Sequence, residues 1–174
     1  MANSINWMNR RAFTRRLAAL TTLGWLGAPI GVAAQNTDIA PAAGDPSFTS
    51  RGGEILFRAM SLLGTRYRRG GNSPETGFDC SGFVGYLFRD VMGKTLPRSA
   101  NEIWRHGDEI RHDEVEPGDL VFYDTLHRRY SHVGIFIGDG KFIHAPASGG
   151  AVRTEKMSER YWARRWNGAR RVGT

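Results

Sequence analysis

The apolar residues of this chain change their spacing once, from a helical period in its first half to an alternating one in its second half. Over residues 50–63 and 79–92 they recur about every three to four residues, which is typical of amphipathic helices. Later they form short runs separated by turn residues, which is typical of strands: GDLVFY, SHVGIFIG, KFIHA, AVRTEK and GARRV. Helices followed by strands predict an α+β fold with an antiparallel sheet.

Two helices carry most of the predicted helical core. The first spans about residues 50–63 and ends at Gly64, and its buried face is expected to consist of Ile55, Leu56, Ala59, Met60 and Leu63. The second begins at Asp79 or Cys80 and ends before Gly93, with a buried face of Phe83, Val84, Leu87, Phe88 and Val91. Cys80 is therefore expected at a helix start.

The N-terminal segment resembles an export signal. Four arginines precede an uncharged apolar run that reaches about Val32 and is too short and too interrupted by Gly and Pro for a membrane span. The stretch NRRAF resembles a twin-arginine signal, and small residues favour cleavage after Ala34. An uncleaved anchor helix is the alternative. We expect a signal peptide, a linker and one catalytic domain, at residues 1–34, 35–49 and 50–174.

The basic charge of the chain belongs largely to that signal. The formal net charge is +7, but residues 1–34 contain four arginines and no acidic residue, which leaves 20 basic and 17 acidic residues. The C-terminal stretch RYWARRWNGARR is basic, yet Trp162 and Trp166 are spaced to pack a terminal helix on the core rather than to stack on bases. We expect no nucleic-acid partner and no membrane span after cleavage. We expect an exported protein, in the periplasm or cell wall, with secretion as the alternative.

Cys80, in the stretch GFDCSGF, is the only cysteine of the sequence. Export leads to an oxidising compartment, where an unpaired thiol is a liability unless it is buried or reactive. Backbone N–H groups at a helix start, or an adjacent imidazolium, lower the pKa of a thiol and favour the nucleophilic thiolate. Cys80 is therefore a candidate nucleophile, expected to be partly thiolate near neutral pH.

Two of the five histidines are candidates for the base. Three lie in charged or polar stretches and are expected at the surface: His106, His112 and His127. The other two, His132 and His144, lie in apolar strand-like runs on either side of one hairpin. Their positions make a geometric test possible.

The hairpin loop decides whether His132 and His144 share a face of the sheet. A two-residue loop puts them on opposite faces, whereas a three-residue loop at residues 138–140 puts them on one face. We predict the three-residue loop, because its third position favours a left-handed residue and Gly140 supplies it. In that register Gly134 lies on the same face and leaves room for a helix start.

The three residues then resemble a nucleophile, a base and an orienting group. Cys80 attacks, His132 shuttles the proton, and His144 holds the imidazole through its other nitrogen. A zinc site formed by the same residues is an alternative, but Cys80 lacks the close-spaced second ligand of structural zinc sites. We expect no metal and no other cofactor.

Six motifs in order resemble the NlpC family of bacterial cell-wall cysteine peptidases, most closely its small single-domain murein endopeptidases. They cover about residues 50–172: GTRYRRGG, FDCSGF, LPRSA, PGDLVFY, SHVGIFIGDGKFIHA and the closing YW…R…ARRV. The resemblance implies a papain-like α+β fold in which the nucleophile helix packs on an antiparallel sheet. It also implies a Cys-His-His site, which coincides with Cys80, His132 and His144.

Further roles follow from the resemblance. Tyr67 would donate its hydroxyl near the developing oxyanion, together with the backbone N–H of Cys80. Asp79 and Ser81 would shape the substrate cleft, although a simple helix-cap role is the alternative for each. Arginines beside Tyr67 would favour acidic peptides: Arg66, Arg68 and Arg69.

The implied partners are the stem peptides of peptidoglycan, cut next to meso-diaminopimelate through an acyl-enzyme. The bond is either γ-D-glutamate to diaminopimelate or D-alanine to diaminopimelate. No wall-binding domain is visible beside the catalytic one, so we expect wall targeting to depend on the domain itself or on a protein partner. A non-catalytic peptidoglycan-binding module and a related amidase or acyltransferase are the alternatives on the same fold.

Overall fold

The computed structural model describes residues 46–147 and 150–173. The expected signal peptide, and the expected linker up to residue 45, lie outside these residues. The helices described are α1 (Pro46–Ser61), α2 (Cys80–Met92), α3 (Ala100–Ile103) and α4 (Arg160–Ala163). None of them is both long enough and apolar enough to cross a membrane.

The strands are β1 (Asn72–Ser73), β2 (Gly77–Phe78), β3 (Asp108–Ile110), β4 (Leu120–Tyr123), β5 (His132–Gly138), β6 (Lys141–His144), β7 (Arg153–Lys156) and β8 (Trp166–Arg171). β1 and β2 form a small hairpin before α2, and the other six form one sheet in the order β3-β8-β4-β5-β6-β7. Every neighbouring pair in this sheet is antiparallel. The predicted order of helices before an antiparallel sheet is confirmed.

The helix α1 differs from its prediction at both ends. It begins at Pro46 and so takes in the last residues of the segment expected as a linker. It ends at Ser61, so the buried stripe consists of Ile55 and Ala59 in the helix and Leu62 directly after it. Met60 and Leu63, which were expected in the core, are exposed. The three buried residues follow each other at intervals of four and three, so the stripe continues through Leu62 and leaves the two neighbours outside.

The expected terminal helix around Trp162 and Trp166 is wrong. α4 has only four residues, and Trp166 already begins β8, which runs between β3 and β4. Both rings nevertheless belong to the apolar cluster on one face of the sheet, with Tyr123 and Phe142. Strand pairing on both sides of β8 outweighs the helical spacing of the two tryptophans.

The β5–β6 hairpin reaches the predicted register by a different route. Its loop has two residues, Asp139 and Gly140, both with positive φ, instead of the predicted three. A register shift in β5 just before the loop supplies the extra residue, so that Ile135 pairs with Ile143. The predicted loop length is therefore wrong, while the predicted placement of the two histidines on one face is confirmed.

The sheet packs on both faces, and Gly134 lies on the face away from α1 and α2. Val133 and Ile135 face the helices, in one cluster with residues of α1 and α2. A Cβ atom at Gly134 would lie 2.7 Å from Cδ2 of Phe142 and 2.9 Å from the carbonyl oxygen of Ile143. The absence of a side chain therefore makes room for β6, and the expectation that it makes room for a helix start is wrong.

Candidate active site

Cys80 is the first residue of α2, and the residue before it caps the helix. Asp79 has an extended backbone, and its Oδ1 accepts a hydrogen bond from the backbone N–H of Gly82 at 2.7 Å. An aspartate in this position satisfies an N–H group that the helix itself cannot use. The predicted position of the thiol at a helix start is confirmed, and the capping role of Asp79 is present.

Asp79 also forms the centre of a polar network that includes Ser81. Arg98 donates from both terminal nitrogens to the two carboxylate oxygens, at 2.9 and 2.7 Å, and donates to Oγ of Ser81 at 2.9 Å. The backbone N–H of Gly70 donates to the same carboxylate at 2.9 Å. Burial raises the pKa of Asp79, but Arg98 and the backbone N–H groups of Gly82 and Gly70 outweigh it, and the pKa lies below its ordinary value.

The network gives Arg98 a role that the sequence did not assign. Its motif, LPRSA, was recognised, but only a capping role for the following serine has a local signature. Ser99 does cap α3 in a capping box with Glu102. Arg98 joins the loop before α3 to the start of α2 and fixes the carboxylate next to the thiol.

The two strand histidines are in contact and buried. Nε2 of His132 lies 2.7 Å from Nδ1 of His144, and the side chains are 5% and 0% exposed. The ring of Trp162 packs against both imidazoles, with ring centroids 5.7 Å from His132 and 5.0 Å from His144. A hydrogen bond between two imidazoles requires one of the two nitrogens to carry the proton while the other accepts it.

Burial holds both imidazoles in the neutral form. It lowers the pKa of His132 to about 4 and that of His144 to about 2. For His144, the neighbouring His132 and the guanidinium of Arg153 lower the pKa further. Both imidazoles are therefore neutral at pH 7, each with a proton on one nitrogen, and His132 is able to accept a second proton.

The thiol lies beside the strand that begins with His132. The backbone N–H of Val133, the next residue of β5, hydrogen-bonds the sulfur of Cys80, and this contact lowers the thiol pKa. Burial raises that pKa more strongly, and the carboxylate of Asp79 adds to the rise. The direction of this shift is opposite to the lowering expected from a helix start, because burial outweighs the helix-start N–H groups.

Tyr67 lies in the loop between α1 and β1, on the same cavity as Cys80. Its backbone N–H donates to the carbonyl oxygen of Gly150 at 2.8 Å, which ties this loop to the segment before β7. Partial burial raises the pKa of its hydroxyl, and Cys80 and Asp79 add to the rise. The hydroxyl is therefore protonated, and able to donate, at neutral pH.

Two cavities flank the site. The first, called here the thiol-side cavity, has a volume of about 800 Å³ and is lined by Tyr67, Asp79, Cys80, Ser81, Arg98 and residues of the loops after α3 and β4. The second, the imidazole-side cavity, has a volume of about 480 Å³ and is lined by His132, Trp162 and residues of the segment around β7. The thiol and the imidazole therefore open toward different spaces.

The remaining histidines and the loop arginines lie away from the contact between His132 and His144. The three histidines expected at the surface are exposed, which confirms the prediction: His106, His112 and His127. Of the three loop arginines, Arg69 lines the thiol-side cavity, and Arg66 and Arg68 do not. Among the described residues, no group of three or more His, Cys, Asp or Glu side chains could hold a metal ion.

Comparisons with known proteins identify relatives of this chain. Residues 64–171 match the NlpC/P60 family. The murein DD-endopeptidase MepH of Escherichia coli (strain K12) is 45% identical over 122 residues, which are 68% of this chain and 45% of that protein. The murein DD-endopeptidase MepS/murein LD-carboxypeptidase of the same strain is 44% identical over 118 residues, which are 68% of this chain and 61% of that protein.

A solved structure agrees with these matches. The crystal structure of an NlpC/P60 family protein from Bacillus cereus ATCC 10987 superposes with a TM-score of 0.65 and 29% identity, over 70% of this chain and 40% of that one. The chain spans about half the length of the curated relatives it matches. The fold is the papain-like α+β fold that the sequence resemblance implied. Because the family match includes the start of α2 and the whole of β5 and β6, this chain belongs to the NlpC/P60 family.

Proposed function

We propose that this protein is a cysteine endopeptidase that cuts the stem peptides of peptidoglycan, with Cys80 as its nucleophile. The observation that carries the proposal is the position of this thiol, which is unpaired, lies at a capped helix start, lines a cavity and borders the strand of His132. The murein endopeptidase names of the relatives support the substrate class.

In this proposal His132 is the general base. Its Nε2 is engaged by His144, so Nδ1 is the nitrogen left to accept the thiol proton. As the thiol loses its proton to Nδ1, the sulfur forms a bond to the amide carbonyl carbon. A neutral His132 that carries its proton on Nε2 donates to Nδ1 of His144, and this acceptor stabilises the imidazolium formed during attack.

The carbonyl oxygen becomes an oxyanion during attack, and two donors are available for it. We assign this role to the hydroxyl of Tyr67 and the backbone N–H of Cys80. Both residues line the thiol-side cavity, and the hydroxyl is protonated at neutral pH because its pKa is raised. Donors of this kind stabilise charge that is absent from the bound substrate, so they lower the barrier to reaction.

Collapse of the intermediate breaks the carbon–nitrogen bond. His132 returns its proton to the leaving amine, and the acyl group stays on the sulfur of Cys80 as a thioester. Water then attacks the thioester while His132 takes a proton from it, which releases the carboxylic acid and restores the thiol. The cycle needs no cofactor.

The walls of the thiol-side cavity favour an acidic ligand. Four arginines line it, against the two carboxylates of Asp79 and Glu102: Arg69, Arg98, Arg105 and Arg128. Asp79 is already paired with Arg98, which leaves an excess of positive charge for the carboxylates of a stem peptide. Asp79 and Ser81 contribute to this wall through Arg98, and Asp79 in addition caps α2.

Of the two candidate bonds, we assign the scissile bond to the D-alanine–diaminopimelate cross-link. Both relatives, MepH and MepS, are named murein DD-endopeptidases. The same proposal places the protein in the cell envelope, where its substrate lies, after export by the N-terminal signal.

The test is to incubate the purified protein with peptidoglycan sacculi, to cut the glycan strands afterwards with a muramidase, and to identify the released fragments by mass spectrometry. A Cys80→Ala variant is the matched control. We expect new amino termini on the D-centre of diaminopimelate with the native protein and none with the variant. New termini on the L-centre would keep the peptidase but move the bond to γ-D-glutamate–diaminopimelate. Binding to sacculi with no cleavage by either protein would mean that the protein is a peptidoglycan-binding module and not a peptidase.

A further inference from the structure

The imidazole-side cavity has a charged and apolar lining of its own. It contains His132, the rings of Tyr161 and Trp162, the side chain of Leu126, and three charged side chains: Arg153, Glu155 and Glu159. The side chains of Leu126 and Tyr161 are unusually exposed for apolar groups, at 63% and 47%. An open pocket with apolar walls suits a flexible aliphatic chain. An anionic group on that chain would be placed at Arg153, away from the two glutamates.

The proposed reaction determines which half of the substrate lies in this cavity. His132 must deliver a proton to the leaving amine, so the residue that supplies this amine has to lie on the side of the imidazole. The acyl residue has to lie on the side of the thiol. Because Cys80 lines one cavity and His132 lines the other, the two halves of the substrate have separate spaces.

We propose that the imidazole-side cavity binds the residue that supplies the leaving amine, and that Arg153 recognises a carboxylate on this residue. The inference rests on the proposed peptidase function and extends it to substrate specificity. In both candidate bonds the leaving amine belongs to diaminopimelate, whose D-centre bears a carboxylate. Lysine has the same aliphatic chain without this carboxylate, so the two residues differ by the group that Arg153 would bind.

The position of Arg153 fits this role. It lies at the start of β7 and pairs with His144 across the sheet, and its guanidinium is near enough to lower the pKa of that imidazole. Its Nε donates to Oε1 of Glu155 at 2.6 Å, which orients the guanidinium. The side chain is 51% exposed, and within the described part of the chain no hydrogen bond engages its terminal nitrogens. These nitrogens can donate to a carboxylate in a bidentate manner.

The test compares two synthetic peptides that differ only in the amine-side residue of the scissile bond, meso-diaminopimelate or L-lysine. We expect the native protein to cut the diaminopimelate peptide with a kcat/KM at least about tenfold higher than the lysine peptide. Arg153→Met should remove this preference by lowering kcat/KM for the diaminopimelate peptide alone. Arg153→Lys, which keeps the charge without the planar fork, should retain part of it.

Arg160→Met is the matched control, because Arg160 is exposed in α4, near this cavity, and does not line it. It should keep the native preference. A native protein that cuts both peptides equally well overturns this inference and leaves the peptidase intact. Equal losses on both peptides in Arg153→Met also overturn it, since they point to a structural role. A native protein that cuts neither peptide contradicts the proposed function, and the inference falls with it.

Discussion

The start of α2 and the β5–β6 pair hold their reactive side chains by different means. Around the thiol the contacts are polar, with Asp79 bonded to backbone N–H groups and to Arg98, whose side chain is 48% exposed. Around His132 and His144 the surroundings are apolar, and the ring of Trp162 packs against both. Hydrogen bonds fix a position in the first region, whereas exclusion of water fixes a protonation state in the second.

This difference separates two properties that are often attributed to one catalytic pair. The alignment of the thiol depends on charged groups that reach solvent, and substitutions there should change geometry and local charge. The neutrality of the imidazoles depends on burial, and substitutions there should change proton transfer and acid stability. Experiments that perturb one region alone can therefore test whether the two properties are independent.

The largest expected effect is on the buried side. His132→Ala should lower kcat/KM by at least about 10³-fold, because in the proposed mechanism His132 takes the proton from the thiol and returns it to the leaving amine. The rate at which cross-linked fragments disappear from sacculi, measured after muramidase digestion, gives this loss. His106→Ala, at an exposed histidine, is the control and should leave the rate unchanged. A loss of less than about tenfold in His132→Ala would contradict the role of the buried pair in proton transfer.

The second expected effect is a loss of stability in acid. The pKa values of His132 and His144 are about 4 and about 2 in the folded protein, below the ordinary 6.5, so only the unfolded chain takes up these protons as the pH falls below 6.5. Each histidine should therefore reduce the free energy of unfolding by on the order of 2 kcal/mol between about pH 6.5 and pH 5. This stability is fully present above pH 6.5.

Urea unfolding at a series of pH values measures that loss. His144→Gln removes one of the two proton sites, so its stability should fall less steeply with acid than that of the native protein. The exposed His112 gives the control, His112→Gln, which should keep the native slope. An unchanged slope in His144→Gln would show that burial does not hold this imidazole neutral.

Local patterns in the sequence were enough for the parts of the site that depend on neighbouring residues. The spacing around Cys80 predicted α2 and its start, and alternation predicted β5 and β6. The shared face of the histidines followed from their register. The loop length was wrong, because a bulge inside a strand has the same effect on register as one more loop residue.

The contacts that the sequence did not reveal join distant residues. Arg98 and Asp79 are 19 positions apart and meet only because the loop before α3 returns to the start of α2. The raised pKa of Cys80 has the same origin, since burial results from packing that no local motif reports. Sequence therefore placed the thiol at a helix start and the two histidines on one face of the sheet, whereas the direction of the shift in the thiol pKa required the assembled structure.

The third effect tests the polar side through catalysis. Tyr67→Phe should lower kcat by about a hundredfold with little change in KM, because in the proposed mechanism the hydroxyl stabilises charge that develops only during attack. The backbone N–H of Cys80 would remain as a donor. Steady-state rates with a soluble stem peptide separate the two constants. A rise in KM at constant kcat would instead place this hydroxyl in ground-state binding.

The smallest expected effect separates charge from capping at Asp79. Asn keeps an oxygen that can cap α2 but removes the carboxylate that raises the pKa of Cys80 and neutralises Arg98. Asp79→Asn should therefore lower the thiol pKa and speed alkylation by iodoacetamide at about pH 8. Its stability should change by less than about 1 kcal/mol, because the half-exposed arginine is screened by water.

Asp79→Ala is the matched variant, since it removes the same charge together with the cap. It should also alkylate faster than the native protein, while its free energy of unfolding falls by about 1–2 kcal/mol. Equal stability of the two variants would mean that the cap contributes nothing and that the network holds α2 through its charge. Alkylation that is unchanged in both would mean that burial alone sets the thiol pKa, and the contrast between a polar nucleophile region and an apolar base region would then fail for the protonation of Cys80.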